Sequence, residues 1–386
     1  MTHNHPHDFT KTLKDEYERY EASPDARESF VKHLRDVADF TGSAWVKEGS
    51  PTLPGLPVSA NTDVVKLCIA FLVSLNHSVT IAPMVRFFSR ALWVEEGEKP
   101  KTISELEGAI KAIAAFSALW RASRRGTANI DQQYREILAG NNEKTTKMPA
   151  LARSLKKQAP EGASAPAVDL DALKAELRAR LAHAEHGGID TRDKFVREAY
   201  MLPAYLNSRE VTRFILLAAY HDSVADPSSN GLIVKGKVAV SPSLTFDGFR
   251  DERNFSLEHI APKDQVFGWD AQFYETKEIT NRLGNLVLVP QVANSSLSAR
   301  PWREKRVMYS ALGANSHADA ERILAHAKDN DAIEFGESTV EIINSSKHLP
   351  QVAAIGERDA EWSVDFIEER SKRLLGLAMG RTFQMA

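Results

Sequence analysis

The sequence has very little cysteine and no long apolar segment. Cys68 is the only cysteine among 386 residues, so the chain can form neither an internal disulfide nor a cysteine-rich zinc site. No run reaches the roughly 18 apolar residues of a membrane span, and residues 1–7 lack the basic start and apolar stretch of a signal peptide. These absences predict a soluble, unexported protein of the reducing cytoplasm.

An excess of charge of either sign is also missing. The 49 Lys and Arg residues nearly balance the 52 Asp and Glu residues, which gives a formal net charge of −3. A surface that binds nucleic acid would therefore have to be a local basic patch. The hydrophobic and charged shares, 43% and 26%, are typical of a globular protein, and the length predicts two or three domains.

A phosphate-binding loop for nucleotides is absent too. Residues 231–238 have the glycine and lysine spacing of such a loop, but Val238 stands where a metal-binding Ser or Thr is needed. A β-like run also begins there instead of a helix. We therefore assign no nucleotide binding to this segment.

The pattern of apolar residues predicts an α+β protein that is predominantly α. Thr102 and Glu105 have the spacing of a capping box, and apolar residues then recur at intervals of three and four, as in an amphipathic helix. The β-branched and apolar run at 286–289 predicts a strand. The expected organisation is a helical domain at 1–138, a linker or long loop at 139–168, a helical connection at 169–230 that packs on both, and a mixed domain at 231–386.

A short alternating segment in the mixed domain carries an acid–histidine pair, Glu258–His259, and is ended by Pro262. Asn285 follows His259 by 26 residues, in the turn before the second predicted strand, and Asn294 comes nine residues later. Because adjacent side chains of a strand point to opposite faces, the two members of the pair can serve one site only if the strand ends or twists here.

These residue types suit the hydrolysis of a phosphodiester. The reaction requires an activated water and neutralisation of charge on phosphorus and on the leaving oxygen, which a histidine base and one divalent cation can supply. His259 is the predicted general base. Glu258 and Asn294 are the predicted metal ligands, because Mg²⁺ prefers carboxylate and amide oxygens. Asn285 is better suited to hold the loop between the strands.

A basic cluster follows the second asparagine. Residues 294–297 are predicted to begin a helix that runs through Tyr309, and four cationic residues lie near its start. Their predicted partner is the phosphate backbone of a nucleic acid. The residues are Arg300, Arg303, Lys305 and Arg306.

Each of these features also has an ordinary structural explanation. A Glu–His pair in a strand is commonly structural, Gly–Asn before a strand is common turn chemistry, and Asn before Ser–Ser is a frequent helix N-cap. Local basic residues commonly form a solvated helix face. The ordered combination, not any single residue, favours a nuclease site.

The combination resembles the C-terminal HNH domain of the GmrSD-type, modification-dependent (type IV) restriction endonucleases. The resemblance covers residues 255–309 and 362–370. Its shared residues are Glu258, His259, Ile260, Pro262, Trp269, the run Leu283-Gly284-Asn285-Leu286-Val287-Leu288, Asn294, Lys305, Trp362, Ile367 and Arg370.

The resemblance implies a helical N-terminal domain followed by a ββα-metal (HNH) nuclease domain wrapped by helices. It implies a DNA endonuclease that depends on magnesium or manganese and acts in bacterial defence against foreign, modified DNA. His259 would be the base, Glu258 and Asn294 metal ligands, Asn285 a catalytic-loop organiser and Lys305 a phosphate contact.

One part of the family pattern is missing, because the chain has no Asp-Gly-Gln-Gln-Arg type motif of the family's nucleotide-hydrolysing domain. This absence suggests a separate nucleotide-hydrolysing restriction subunit as partner. Two alternatives stay open: an HNH nuclease that acts on RNA or structured DNA, and an inactive DNA-binding or assembly subunit of a defence complex.

Overall fold

The computed structural model describes residues 24–139, 168–183, 188–236, 244–346 and 349–385. Within these ranges the chain is mainly helical and has four short strands. The predicted α+β class, predominantly α, is confirmed. None of the described helices is both long enough and apolar enough to span a membrane.

The described residues divide into two compact units. The first contains residues 24–117, 127–139 and 168–183, and the second contains 118–126, 188–236, 244–346 and 349–384. The predicted helical connection at 169–230 is divided between them, since residues 169–183 lie in the first unit and 188–230 in the second. The linker predicted at 139–168 lies almost wholly outside the described residues.

The helices that begin in the first unit consist of amphipathic or apolar segments. They are α1 (Pro24–Ser43), α2 (Asp63–Ser74), α3 (Ile81–Trp93), α4 (Lys99–Ala122), α5 (Ile130–Ala139) and α6 (Leu170–Ala182). Helix α2 is capped by Thr62, whose side chain accepts from the Val65 amide, and Cys68 lies in its buried part. Helix α4 begins three residues before Thr102, whose hydroxyl donates to the carbonyls of Glu98 and Lys99 instead of capping the helix.

The second unit contains all four strands and ten helices among its described residues. The strands are β1 (Ser223–Ala225), β2 (Ile233–Lys235), β3 (Ser256–His259) and β4 (Leu286–Val289). The helices are α7 (Arg192–Ala199), α8 (Ala204–Asn207), α9 (Arg209–Tyr220), α10 (Phe246–Arg250), α11 (Gln291–Leu297), α12 (Trp302–Leu312), α13 (His317–Asp331), α14 (Glu337–Ser345), α15 (Pro350–Gly356) and α16 (Val364–Met385).

Strands β3 and β4 form an antiparallel pair that positions the motif. Glu258 is opposite Val287 and His259 is opposite Leu286. All four residues of β4 are buried, which explains the continuous apolar run, because both faces of this strand are covered. Helix α11 follows β4 and packs on β3, so two strands and a helix occur in the predicted order.

The turn before β4 is held against the last helix. A Cβ added at Gly284 would overlap the carbonyl oxygen of Ile367 in α16, so only glycine fits this close approach. Arg370 of α16 donates to the carbonyls of Gly284 and Leu286 at 2.6 and 2.9 Å. The glycine of the Leu-Gly-Asn-Leu run is thus explained by backbone packing.

The basic segment forms two helices, not the single helix predicted from Asn294 through Tyr309. Helix α11 ends at Leu297, and Ser298 adopts a positive φ of 36°. Pro301 precedes α12 as its N-cap residue. Proline disfavours helical backbone at the residue before it, so the chain breaks between the two helices.

Candidate functional site

The acid–histidine pair is split between the two faces of β3. His259 contacts Asn281 and Tyr205, whereas the carboxylate of its neighbour Glu258 contacts Lys305 of α12. Each side chain therefore has its own surroundings, as strand geometry requires. The twist that would bring both to one metal ion is not present in this arrangement.

The imidazole of His259 is oriented by an amide that sequence analysis missed. Nε2 of His259 lies 3.1 Å from Oδ1 of Asn281. The amide nitrogen of Asn281 donates to the carbonyl of Lys277 at 2.6 Å, which fixes its oxygen toward the histidine. Nε2 must then carry the proton, and Nδ1 is the nitrogen with a free lone pair.

The surroundings of His259 favour the neutral imidazole. The side chain is largely buried, with 8% of its surface exposed, and its ring centroid lies 4.6 Å from that of Tyr205 at an interplanar angle of 72°. Burial lowers the pKa of His259 to about 4, and the charges of Lys263, Lys305 and Arg209 act in the same direction. The histidine is therefore able to accept a proton near neutral pH.

The carboxylate of Glu258 belongs to a buried ion pair. Its Oε1 lies 2.6 Å from Nζ of Lys305, which also donates to the carbonyl of His259 at 2.8 Å. Glu258 is 5% exposed and Lys305 is 0% exposed. Burial raises the pKa of Glu258 to about 7 even though the pairing with Lys305 acts against it, and burial lowers the pKa of Lys305.

This pair differs from both roles predicted for its members. Lys305 does not reach solvent, so a phosphate could contact it only if the bonds to Glu258 and His259 were broken. Glu258 likewise could ligate a metal only after losing Lys305. In this arrangement the two residues position the strand by bonding to each other.

Asn285 is fully buried and holds three segments together. Its amide nitrogen donates to the carbonyls of Ala261 and Thr280, both at 2.8 Å. Its oxygen accepts from the amide of Ala261 at 2.8 Å and from the indole of Trp362 at 3.1 Å. The protein occupies the whole hydrogen-bonding capacity of this side chain. Asn285 thus links the loop after His259 to the turn before β4 and to Trp362.

Asn294 connects helix α11 to strand β3. Its amide nitrogen donates to the hydroxyl of Ser256 at 3.1 Å and to the carbonyl of Leu257 at 3.0 Å. Both acceptors precede Glu258 in the strand. The predicted metal ligand therefore lies beside β3 and helps to fix its position.

The four predicted cationic contacts do not form one patch. Arg300 donates to the carbonyl of Ser296 at 2.8 Å and to Glu304 at 2.6 Å, and its guanidinium also lies over the ring of Phe335, so protein groups hold it. Arg303 is exposed and Arg306 is half-buried on α12, whereas Lys305 points from the same helix into the core. Helical geometry separates Lys305 from Arg303 by about 200° around the axis.

The predicted ligands do not fit a magnesium ion as they are arranged. Among the described residues, no cluster of three or more His, Cys, Asp and Glu side chains could hold a metal ion. The carboxylate of Glu258 faces away from His259 and is bound by Lys305. We therefore assign no protein ligand to a metal at this site.

Residues outside the motif complete the surroundings of His259. Asn281 lies four residues before Asn285, in the 3₁₀ turn Ile279–Asn281. Tyr205, Arg209 and Lys263 come from three other positions. The sequence offers no local signal for Tyr205 or Arg209, because about 50 residues separate them from the histidine and only tertiary packing brings them near.

Residues 190–377 match the model of the family described as GmrSD restriction endonucleases, C-terminal domain. The matched region is slightly less than half of the chain and includes all residues of the site described above. No curated protein matches the chain. The resemblance inferred from the motif is confirmed at this level: the C-terminal region is similar to that of GmrSD restriction endonucleases, which supports a nuclease role for it.

Proposed function

We propose that residues 190–377 form the catalytic part of an HNH endonuclease that hydrolyses phosphodiester bonds in DNA. The family similarity supports the nuclease role. The observation that carries the assignment of the base is the position of the His259 imidazole, whose Nε2 lies 3.1 Å from Oδ1 of Asn281.

In the proposed reaction, Nδ1 of His259 takes a proton from a water molecule as that water attacks phosphorus. General base catalysis requires a group that is unprotonated at the working pH and oriented toward the water. The lowered pKa of His259 meets the first condition, and the hydrogen bond to Asn281 meets the second by fixing the tautomer. The P–O bond to the leaving oxygen breaks as the new bond forms, and the leaving oxygen takes up a proton from solvent water.

Hydrogen bonds on both sides of His259 in the chain keep its backbone in place. Lys305 donates to the carbonyl of His259, and Asn285 accepts from the amide of Ala261, two residues later. A base that is displaced by about 1 Å can lose a large part of its effect. Lys305 and Asn285 are therefore positioning residues in this proposal.

The test of the base is the variant His259→Ala, assayed for cleavage of plasmid DNA. Loss of a general base is expected to slow cleavage about 10²-fold to 10⁴-fold, with the thermal midpoint of unfolding close to that of the natural protein. His317→Ala is the matched control, since His317 is exposed on α13 and lies 3.2 Å from the exposed Glu321. Undiminished cleavage by His259→Ala would refute the assignment.

We also propose that cleavage depends on magnesium or manganese, an expectation from the sequence resemblance. Because Lys305 binds the carboxylate of Glu258, the predicted carboxylate ligand, no role in a reaction step is assigned to the ion. The check is plasmid cleavage with each ion and with EDTA. Full activity in EDTA after exhaustive dialysis would remove the metal from the proposal.

The proposed biological role is bacterial defence against foreign, modified DNA, together with a separate nucleotide-hydrolysing subunit. It rests on the sequence resemblance, as does the choice of DNA over RNA or structured DNA. Parallel cleavage assays on modified DNA, unmodified DNA and RNA, with and without the product of a neighbouring gene, test both points. Preferential cleavage of RNA would identify RNA, not DNA, as the substrate.

A second candidate function is a DNA-binding subunit that does not cut. The pairing of Glu258 with Lys305, which occupies the carboxylate that was predicted to bind the metal, favours it. DNA binding without metal-dependent nicking by the purified protein would support this candidate. Nicking that is lost in His259→Ala would exclude it.

A further inference from the structure

Two cationic side chains beside His259 are held by an aromatic ring. The guanidinium carbon of Arg209 lies 4.8 Å from the ring centroid of Tyr205, and Nζ of Lys263 lies 5.2 Å from it. The same ring contacts the imidazole of His259 at 4.6 Å. Two positive charges and the proposed base thus surround one tyrosine.

Three separate segments build this arrangement. Tyr205 belongs to α8, and Arg209 is the first residue of α9, whose N-terminus is capped by Ser208. Lys263 follows Pro262 in the loop after β3. Arg209 and Lys263 are exposed, and Tyr205 is half-buried, so the cations reach solvent while the ring is anchored.

The charges of these cations are not neutralised by an acid. Neither Arg209 nor Lys263 forms an ion pair with a carboxylate of the described part of the chain. A cation–π contact positions a cation but adds no negative charge. The positive potential reaches the imidazole, since both cations help to lower the pKa of His259. Such a surface is suited to an anion that binds next to the histidine.

We propose that Tyr205, Arg209 and Lys263 form the phosphate-binding subsite of this nuclease and hold a phosphodiester of the nucleic-acid strand beside His259. The choice of ligand rests on the proposed function. The guanidinium of Arg209 offers paired donors to phosphate oxygens, and Lys263 adds a point charge. These two residues take the role that sequence analysis gave to Lys305, whose ammonium is buried.

The experiment measures DNA binding separately from cleavage. The full chain carrying His259→Ala is titrated into a short fluorescent DNA duplex, and the dissociation constant is followed over a series of salt concentrations. Adding Arg209→Ala or Lys263→Ala is expected to weaken binding about tenfold near 0.1 M salt and to reduce the salt slope by about one per lost phosphate contact.

These variants are accompanied by a matched control and by two substitutions of Tyr205. Lys372→Ala removes another lysine held on a tyrosine, Tyr200, at 4.4 Å in the same unit, and it is expected to leave both quantities unchanged. Tyr205→Phe keeps the aromatic face and is expected to bind normally. Tyr205→Leu keeps bulk without that face and is expected to bind more weakly.

The outcomes test the phosphate-binding subsite independently of the proposed function. Unchanged binding and salt slope in the Arg209→Ala, Lys263→Ala double variant would overturn the subsite even if the natural protein cuts DNA. Weakened binding in that variant would uphold it even if the natural protein does not cut. If Tyr205→Leu fails to fold, the double variant still decides, because its substitutions are on exposed side chains.

Discussion

The two faces of strand β3 differ in the surroundings that each gives to a titratable side chain. On one face, His259 keeps a small exposed surface, a neutral ring and unpaired cations nearby. On the other, Glu258 is buried to a similar degree but is bound to Lys305 in an ion pair. Two residues that are adjacent in the motif therefore have different tasks. His259 is suited to proton transfer, and Glu258 helps to fix the strand that carries His259.

Adjacent residues of a sequence motif do not have to belong to the same site. Alternation along a strand sends neighbours to opposite faces, so an acid–histidine pair shares one site only where the backbone departs from the strand. Here β3 stays regular through His259, which pairs with Leu286. The cations that face the histidine come from α9 and from the loop after β3, not from the basic helix that follows the motif.

The largest expected effect is on the Glu258 face. Lys305→Met leaves a buried carboxylate without its partner, and we expect a loss of about 3–5 kcal/mol in the free energy of unfolding at pH 8, measured by urea denaturation. The loss is expected to be smaller at pH 5, because Glu258, with a pKa near 7, is then protonated.

The double variant Glu258→Met, Lys305→Met is the control, since it removes both charges and is expected to recover part of the lost stability. A loss below about 1 kcal/mol in Lys305→Met, as for an exposed pair, would contradict the buried position of the ion pair.

A smaller effect is expected on the His259 face, and it concerns activity. Asn281→Ala removes the acceptor that fixes the tautomer, and cleavage is expected to slow about tenfold, the equivalent of one hydrogen bond of about 1.4 kcal/mol. Asn281→Asp keeps an acceptor and adds a negative charge, which raises the pKa of His259.

The pH–rate profile is the measurement. In the natural protein, the acidic limb should lie near pH 4, because His259 is neutral above that value. In Asn281→Asp the limb should move to higher pH. Identical profiles for the two proteins would show that Asn281 does not act through His259.

The smallest expected effect is on the pH dependence of stability, to which the two faces of β3 contribute differently. The folded pKa of His259 is lowered from 6.5 to about 4, so its contribution to stability is present above pH 6.5 and is lost as pH falls toward 4. The folded pKa of Glu258 is raised from 4.5 to about 7, so its contribution is present below pH 4.5 and is lost as pH rises toward 7.

These two slopes oppose each other between pH 4.5 and 6.5. Stability in His259→Ala should therefore fall more steeply with rising pH across this range than in the natural protein, and stability in Glu258→Gln should rise more steeply. Thermal unfolding of both variants at several pH values is the check. Slopes of the same sign in the two variants would contradict the separate surroundings.

Much of the local structure followed from the sequence. The apolar run of β4, the strand that ends at His259 and the helix α4 were predictable because each depends on a short pattern in the chain. The predicted amphipathic character holds only for the first half of α4, because residues 112–120 are buried on all sides. The position of Asn285 in the turn before β4 followed from the turn chemistry of the residues around it. The break at Pro301 was missed, although the residue before a proline avoids helical backbone.

Long-range packing accounts for what could not be predicted. Helix α12 presents Lys305 to the core while Arg303 lies on its outer side, and this choice depends on how the helix is rotated against β3. Asn281 and Tyr205 approach His259 from the 3₁₀ turn before β4 and from helix α8, and no periodicity in the sequence links them to it.

The order of strand, turn, strand and helix around His259 follows from the local sequence, as does the place of Gly284 and Asn285 in the turn. These features depend on backbone preferences that each short segment carries alone. The tertiary structure alone decided that Glu258 pairs with Lys305, that Asn281 fixes the histidine, and that Tyr205, Arg209 and Lys263 lie beside it. The reason is that burial and charge at a site are set by whatever elements pack there, and those elements come from distant parts of the chain.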